Sequence, residues 1–422
     1  MSYTAIISRI STRPHPNADR LLLGTVVGGN QVVVSTATQS GQLGIFFPTD
    51  GQLSEGMCKA NSLYTKGACA KLGLDPVLYG GGFFDLNRRV RAQTFRGERS
   101  DGLWVPLHYL EWAGSTWNLV EGDQLTEFGG QPICNKYMTK ATQHATKASR
   151  QGKRGATPMF PKQIDTAQYR FYSDAIPPDA IVYITEKLHG TSGRYGLVLD
   201  EIALPTWKQQ LNRLWPIFPT RQWRYLNGSR NVILEQTDGA GYYGTNDFRY
   251  TAVEGLQLRK GETIYFELVG WVGDALIMGA QNVVGSGLDQ AFVDRWPAVM
   301  SYTYGCPQGT TRLYVYRIQQ ANEDGAAVEL SWMQVVQRCG ELGLKTVPEL
   351  DRHEGAYITK EYVTFLAQGP SSLDERHIRE GVVLRIESDR GTQWLKHKSF
   401  EFGVLEGYLK VKDEYVDREE IA

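Results

Sequence analysis

Short apolar runs that each carry one or two charged residues recur through the second half of this 422-residue chain, and they constrain its fold more than any other feature. A strand core does not accept a lone charge, so each of these must face a cleft that holds its partner. Ala180-Ile-Val-Tyr-Ile184 is β-branched and aromatic enough to read as a strand, and it delivers Lys187 just before Leu188, His189 and the turn at Gly190. Gly190 lets the backbone turn where a side chain would block a ligand, and Thr191 and Ser192 add hydroxyl groups. Ile264-Tyr-Phe-Glu-Leu-Val-Gly270 places Glu267 inside an apolar strand, and Arg379-Glu-Gly-Val-Val-Leu-Arg385 sets Glu380 at the mouth of another. Trp394-Leu-Lys-His-Lys-Ser399 carries Lys396 and Lys398 two apart, hence on one face of a strand. Arg312-Leu-Tyr-Val-Tyr-Arg-Ile318 puts Tyr314 and Tyr316 on one face, a platform on which a purine could stack. Asn227-Gly-Ser-Arg-Asn231 offers Arg230 beside a turn.

In this order the set resembles the covalent nucleotidyltransferase superfamily, and most closely the ATP-dependent RNA ligases, over roughly residues 160 to 400. The resemblance makes Lys187 the lysine that becomes adenylylated, with His189 beside it, and places Lys396 and Lys398 around the α-phosphate. It assigns Glu186, Leu188, Arg194, Arg230, Glu267, Tyr316 and Glu380 to the ATP site. Within that set Glu267 would bind the ribose, Tyr316 rather than Tyr314 would stack adenine, and Glu380 would hold the metal. ATP and Mg²⁺ or Mn²⁺ are the implied cofactors. DNA ligases and capping guanylyltransferases typically carry an arginine five residues after the nucleophile, where this chain has Ser192, with Arg194 as a possible substitute. Those enzymes also use an OB-fold domain after the last lysine motif, and only 24 residues follow Lys398. A DNA ligase, a capping enzyme and a non-catalytic nucleic-acid-binding protein stand as the alternatives.

The chemistry of a lysine nucleophile fits this grouping. A free ammonium with a pKa near 10.4 cannot attack at neutral pH, and bringing the pKa to about 7 takes roughly 4 kcal/mol. Like charges at Lys396 and Lys398, partial burial and a divalent ion are the available causes. The same cations would stabilise charge developing on the α-phosphate.

Residues 1–130 alternate short apolar strands with Gly turns. The expected strands are Tyr3 to Ile10, Arg20 to Val27, Gln31 to Thr36, Gly44 to Phe47 and Val90 to Phe95, and their spacing suggests a small OB-like barrel. Within it Arg88, Arg89, Arg91 and Arg96 alternate with other residues and are the expected nucleic-acid contacts. The block resembles the amino-terminal OB domain of one RNA-ligase branch. Between positions 128 and 164 lie Lys136, Lys140, Lys147, Arg150, Lys153, Arg154 and Lys162 with no Asp or Glu, which reads as a basic linker. Leu330 to Leu342 and Lys360 to Ala367 have helical periodicity. The expected class is α+β. An OB-like β-barrel at 1–130 and a linker at 131–160 precede a nucleotidyltransferase domain at 161–422, built of antiparallel sheets with flanking helices.

The 41% hydrophobic content suffices for two cores, and a net charge of −1 leaves any anion-binding surface to be local. Cys58, Cys69, Cys134, Cys306 and Cys339 are scattered without a paired spacing, so a reduced, intracellular, cytoplasmic setting is expected. Neither a signal peptide nor a membrane span is expected. The expected partner is RNA, or a duplex containing it, with a 3′-OH/5′-phosphate nick, met by a monomeric enzyme.

Overall fold

In the computed structural model, residues 3–49, 51–137, 157–164, 166–202, 204–215, 217–234 and 243–406 are described. They divide into two units: residues through 137 with Ala167–Ala175 form the first, while 157–164, 166 and 176–406 form the second. Of the linker's seven basic residues, five (Lys140, Lys147, Arg150, Lys153 and Arg154) lie outside the described residues.

The first unit has a four-stranded antiparallel sheet in the order Gln124–Leu125, Ala5–Arg9, Leu43–Pro48, Gly102–Pro106. A three-stranded antiparallel sheet joins Ser11–Pro14, Leu21–Val26 and Asn30–Ser35. The strand Ala5–Arg9 is apolar on both faces for a reason. Ile6 packs with Phe46, Trp104 and Val32 of the second sheet, while Ala5 and Ile7 pack with Ile45, Phe47 and the short helices Glu55–Ala60 and Lys66–Leu72. Those helices carry Ser54 and Thr65 as N-caps, each side chain accepting a backbone N–H.

The expected strand over 90–95 shrinks to Gln93–Phe95. Arg88 (φ 48) and Arg96 (φ 49) both adopt the left-handed region, which ends extended pairing at either side. Arg88 turns inward, its Nε donating to the Leu53 carbonyl at 3.0 Å. Arg89 lies over the Tyr137 ring at 4.8 Å, and of the four arginines Arg91 alone is exposed. The alternating basic strand is therefore a pair of turns around a short hairpin.

The second unit is built on two antiparallel sheets. One runs Gly391–Lys398, Gly381–Ser388, Ile181–Lys187, Glu349–Glu354. The other runs Ile233–Leu234, Arg221–Ser229, Thr191–Glu201, Glu262–Val272, Thr311–Ala321, Ala327–Glu329. Leu188, Phe266, Leu268, Val315, Trp332 and Val335 belong to the core that fills this unit. The helix expected over 330–342 is Trp332–Leu342, opened by a capping box at Ser331 and Gln334 and closed by left-handed Gly343. Lys360–Ala367 is a helix as expected. Residues 188–190 carry the chain from the end of one sheet to the start of the other, and this crossing positions the site.

Candidate active site

Lys187 is the last residue of its strand and pairs in register with Gly381, which pairs in turn with Lys398. A lysine therefore stands on each side of a residue without a side chain. Glu380, one residue earlier and 2% exposed, places a carboxylate oxygen 2.8 Å from the Lys187 Nζ and the other 2.8 Å from the Lys398 Nζ. Burial alone would raise the Glu380 pKa, but Lys187, Lys398 and His189 outweigh it and hold the carboxyl well below its ordinary value. The sequence suggests that the lysines act on one another by repulsion. In the structure a shared anion lies between them, with one carboxylate oxygen against each ammonium group. Lys396 is half-buried two residues along the same strand.

His189 is 8% exposed. Its Nδ1 lies 3.7 Å from Glu380 and its Nε2 3.2 Å from Glu406, at the end of the helix Phe400–Leu405. The Tyr302 and Phe402 rings meet the imidazole edge-on at 4.9 and 4.8 Å. Gln281 donates to Glu406 and accepts from the Tyr302 hydroxyl, closing a ring of contacts around the histidine.

The second sheet supplies the facing wall. Ser192 pairs in register with Glu267 and donates its hydroxyl to that carboxylate at 3.0 Å. Gly190 is required here because a Cβ would stand 2.3 Å from the Leu268 carbonyl. Arg249, 5% exposed, ties this wall down by donating to the Ser192 carbonyl at 3.0 Å and to the Thr191 hydroxyl at 2.7 Å. No pattern around Arg249 marks it in the sequence, because it sits on the five-residue helix Asp247–Thr251 and reaches its partners across the fold. A register shift between Tyr265 and Phe266 leaves Tyr316 without a paired residue. Tyr314 is packed in the core at 2% exposure, whereas Tyr316 keeps partial exposure with its hydroxyl within electrostatic reach of Glu267 and Arg230.

The remaining expected residues occupy distinct places. Arg194 is buried over the Phe160 ring at 4.6 Å and donates to the Arg230 carbonyl at 3.0 Å. Burial lowers its pKa to about 10. Glu186, 1% exposed, accepts from the Ser372 backbone N–H at 2.8 Å. By strand alternation it faces away from Lys187. The Leu188 side chain is in the core, so the groups it can offer a ligand are its backbone amide and carbonyl.

Burial pushes the Glu267 carboxyl from its ordinary 4.5 up to about 7, against the pull of Lys187 and the Ser192 hydrogen bond. As pH rises between these values the unfolded chain gives up a proton that the folded protein keeps, so stability falls across that window. Thermal unfolding of the nucleotide-free protein and of Glu267→Gln between about pH 5 and pH 8 is expected to show the native protein losing ground to the variant until about pH 7. A pH-independent gap between the two would contradict the assignment.

Among the described residues no cluster of three or more His, Cys, Asp or Glu side chains could form a metal cage. The donor set suits a Mg²⁺-type ion instead, held by one carboxylate and completed by waters and substrate phosphates. No described helix is long and apolar enough to cross a membrane.

A family model described as RNA ligase matches residues 180–398. No curated protein matches the chain. Among solved structures, Naegleria gruberi RNA ligase with pyrophosphate is similar at a TM-score of 0.58 and 19% identity, covering 94% of this chain and 97% of that one. An apo variant of the same ligase gives 0.60 at 18% identity over 96% and 99%. A lysine-to-alanine variant with ATP and Mn gives 0.59 at 18% identity over 97% and 99%. At these identities the likeness is one of fold, and it extends beyond the matched domain to nearly the whole chain.

Proposed function

The chain belongs to the RNA ligase family, and from that premise we propose that it joins 3′-OH and 5′-phosphate RNA ends at the expense of ATP, through a lysyl-AMP formed on Lys187. The observation that carries this reading is the buried Glu380 carboxylate shared by Lys187 and Lys398, opposite the Ser192–Glu267 pair. In the first step the Lys187 ammonium gives a proton to solvent water and its neutral Nζ attacks the α-phosphorus of ATP; the N–P bond forms as the bond to pyrophosphate breaks. Lys398 and Lys396 stabilise the charge on the α-phosphate. Glu267 accepts from a ribose hydroxyl, Tyr316 offers its ring to adenine, Arg230 reaches the nucleotide from the turn after its strand, and the Glu186 and Leu188 backbone lines the base. Glu380 would be the residue to hold a divalent ion, which would supply positive charge against the triphosphate. AMP then passes to a 5′-phosphate and the 3′-OH displaces it, sealing the strand. His189, fixed beside Lys187, is placed to act on the groups that arrive there.

Incubation with α-labelled ATP or GTP followed by denaturing electrophoresis tests the first step: label from ATP that survives denaturation is expected, and preferential label from GTP would favour the capping alternative. A set of nicked duplexes differing only in the sugars beside the break tests the rest. Sealing is expected to prefer RNA on the 3′-OH side and to depend less on whether the 5′-phosphate side is RNA or DNA, since the 2′-OH and A-form groove shape are what a protein reads to tell the two apart. Equal sealing of an all-DNA nick would return the DNA-ligase alternative.

A further inference from the structure

We infer that the excursion between Ile202 and Thr220, with the strand that follows it, is a docking surface for a single RNA strand, remote from the nucleotide site; this rests on the RNA ligase reading for the class of partner. The excursion leaves and rejoins the second sheet at a neck where the Ile202 N–H donates to the Thr220 carbonyl at 2.8 Å. It carries the helix Thr206–Leu214, which buries none of its residues. Trp207 is 57% exposed, Leu214 70%, Trp215 65% and Ile217 66%. So large an apolar patch on a surface element implies an occupant.

The patch is shaped in advance. Asn212 donates to the Phe218 carbonyl and accepts the Phe218 N–H, both at 2.8 Å, and the Trp207 and Phe218 rings meet edge to face at 5.7 Å. The segment's own charge is of one sign, with Arg224 paired to Asp200 of the neighbouring strand at 3.0 Å. From residue 202 to residue 234 there are Lys208, Arg213, Arg221, Arg224 and Arg230 and no acidic residue. The cations are interleaved with the aromatics: the Lys208 ammonium sits over the Phe218 ring at 4.9 Å and the Trp207 ring at 5.3 Å, and Lys260 over Trp223 at 5.7 Å. Further along the strand Tyr225, 40% exposed, stacks in parallel on Tyr195 at 5.2 Å.

Exposed aromatic rings interleaved with cations are what a polyanion with stacking bases requires. A lipid surface would instead select cations segregated on the face opposite the tryptophans, whereas Lys208 lies over the Trp207 ring itself. Strand Thr191–Glu201 begins at the Ser192 wall and ends at the neck, nine residues or about 30 Å farther on. The surface therefore holds RNA away from the break and takes no part in the chemistry.

The test is fluorescence anisotropy of a dye-labelled single-stranded RNA of about 20 nucleotides, titrated with the full-length protein, with Trp207→Ala/Trp215→Ala and with Lys208→Glu/Arg213→Glu. Self-adenylylation of each variant reports an intact fold and nucleotide site. The tryptophan pair is expected to weaken RNA binding about tenfold with self-labelling unchanged, and the charge pair to flatten the salt dependence as phosphate contacts are lost. Unchanged affinity and salt slope in both variants would overturn the inference. So would a loss of binding to anionic phosphatidylserine vesicles with RNA affinity intact, which would assign the surface to lipid. Absence of self-labelling in the native protein would defeat the nucleotidyl-transfer reading by itself, leaving RNA affinity to decide the surface.

Discussion

Lys187→Ala is expected to remove all covalent labelling by α-labelled ATP, because no other described side chain combines a nucleophilic nitrogen, a position at the mouth of the crossing between sheets and a shared carboxylate. The lysine side chain is 26% exposed, so its loss leaves the core intact and the variant should fold. Lys187→Arg sharpens the experiment. A guanidinium keeps the ion pair with Glu380 yet is not a nucleophile at neutral pH, so labelling should vanish there too while stability is held. Mass spectrometry that located AMP on Lys396, Lys398 or any other residue would sink the mechanism.

The second large effect is expected at Glu380. Glu380→Gln leaves two ammonium groups facing each other without their anion and removes the carboxylate assigned to the divalent ion. Labelling should fall by about a hundredfold or more, the scale seen when one preorganised electrostatic group is taken from a reacting centre. Stability should fall as well, by about 2 kcal/mol, less than the 3–5 of a fully buried broken pair because both lysines keep about a quarter of their exposure. The two effects are separable: thermal unfolding reports the second, and labelling at saturating ATP on the folded fraction reports the first. Full labelling in this variant would remove Glu380 from the chemistry.

What could be read from the chain alone follows a physical rule. Lys187, Glu267, Glu380 and Lys398 were legible because a charge inside an apolar strand is costly and so demands a partner, and the structure brings these four residues together. Arg249, Gln281, Tyr302 and Glu406 were not legible. They come from short helices, two-residue strands and loop positions, where no period marks a face and the partners lie tens of residues away. The register shift beside Tyr316 is likewise invisible to a period-two argument, which assumes that alternation continues. The basic segment from Arg88 failed as a strand because left-handed backbone at Arg88 and Arg96 is a local choice that charge spacing does not reveal. The helices after Ser54 and Thr65 announce themselves only through their caps, being too short to show a moment.

Gly381 has a consequence for how mutational tolerance should be interpreted in this family member. At φ +149 it occupies backbone space that side chains rarely enter, and a Cβ there would come within 2.1 Å of the His397 carbonyl, in the strand that carries Lys398. Every substitution at this position would push the lysine strands apart or twist them out of register. A saturation library selected on sealing would therefore blank out position 381 as thoroughly as position 187, although the first residue has no functional group at all. Scoring the same library twice, once for folded protein and once for adenylate formed, would part the two: position 187 keeps its folded signal, and position 381 loses both.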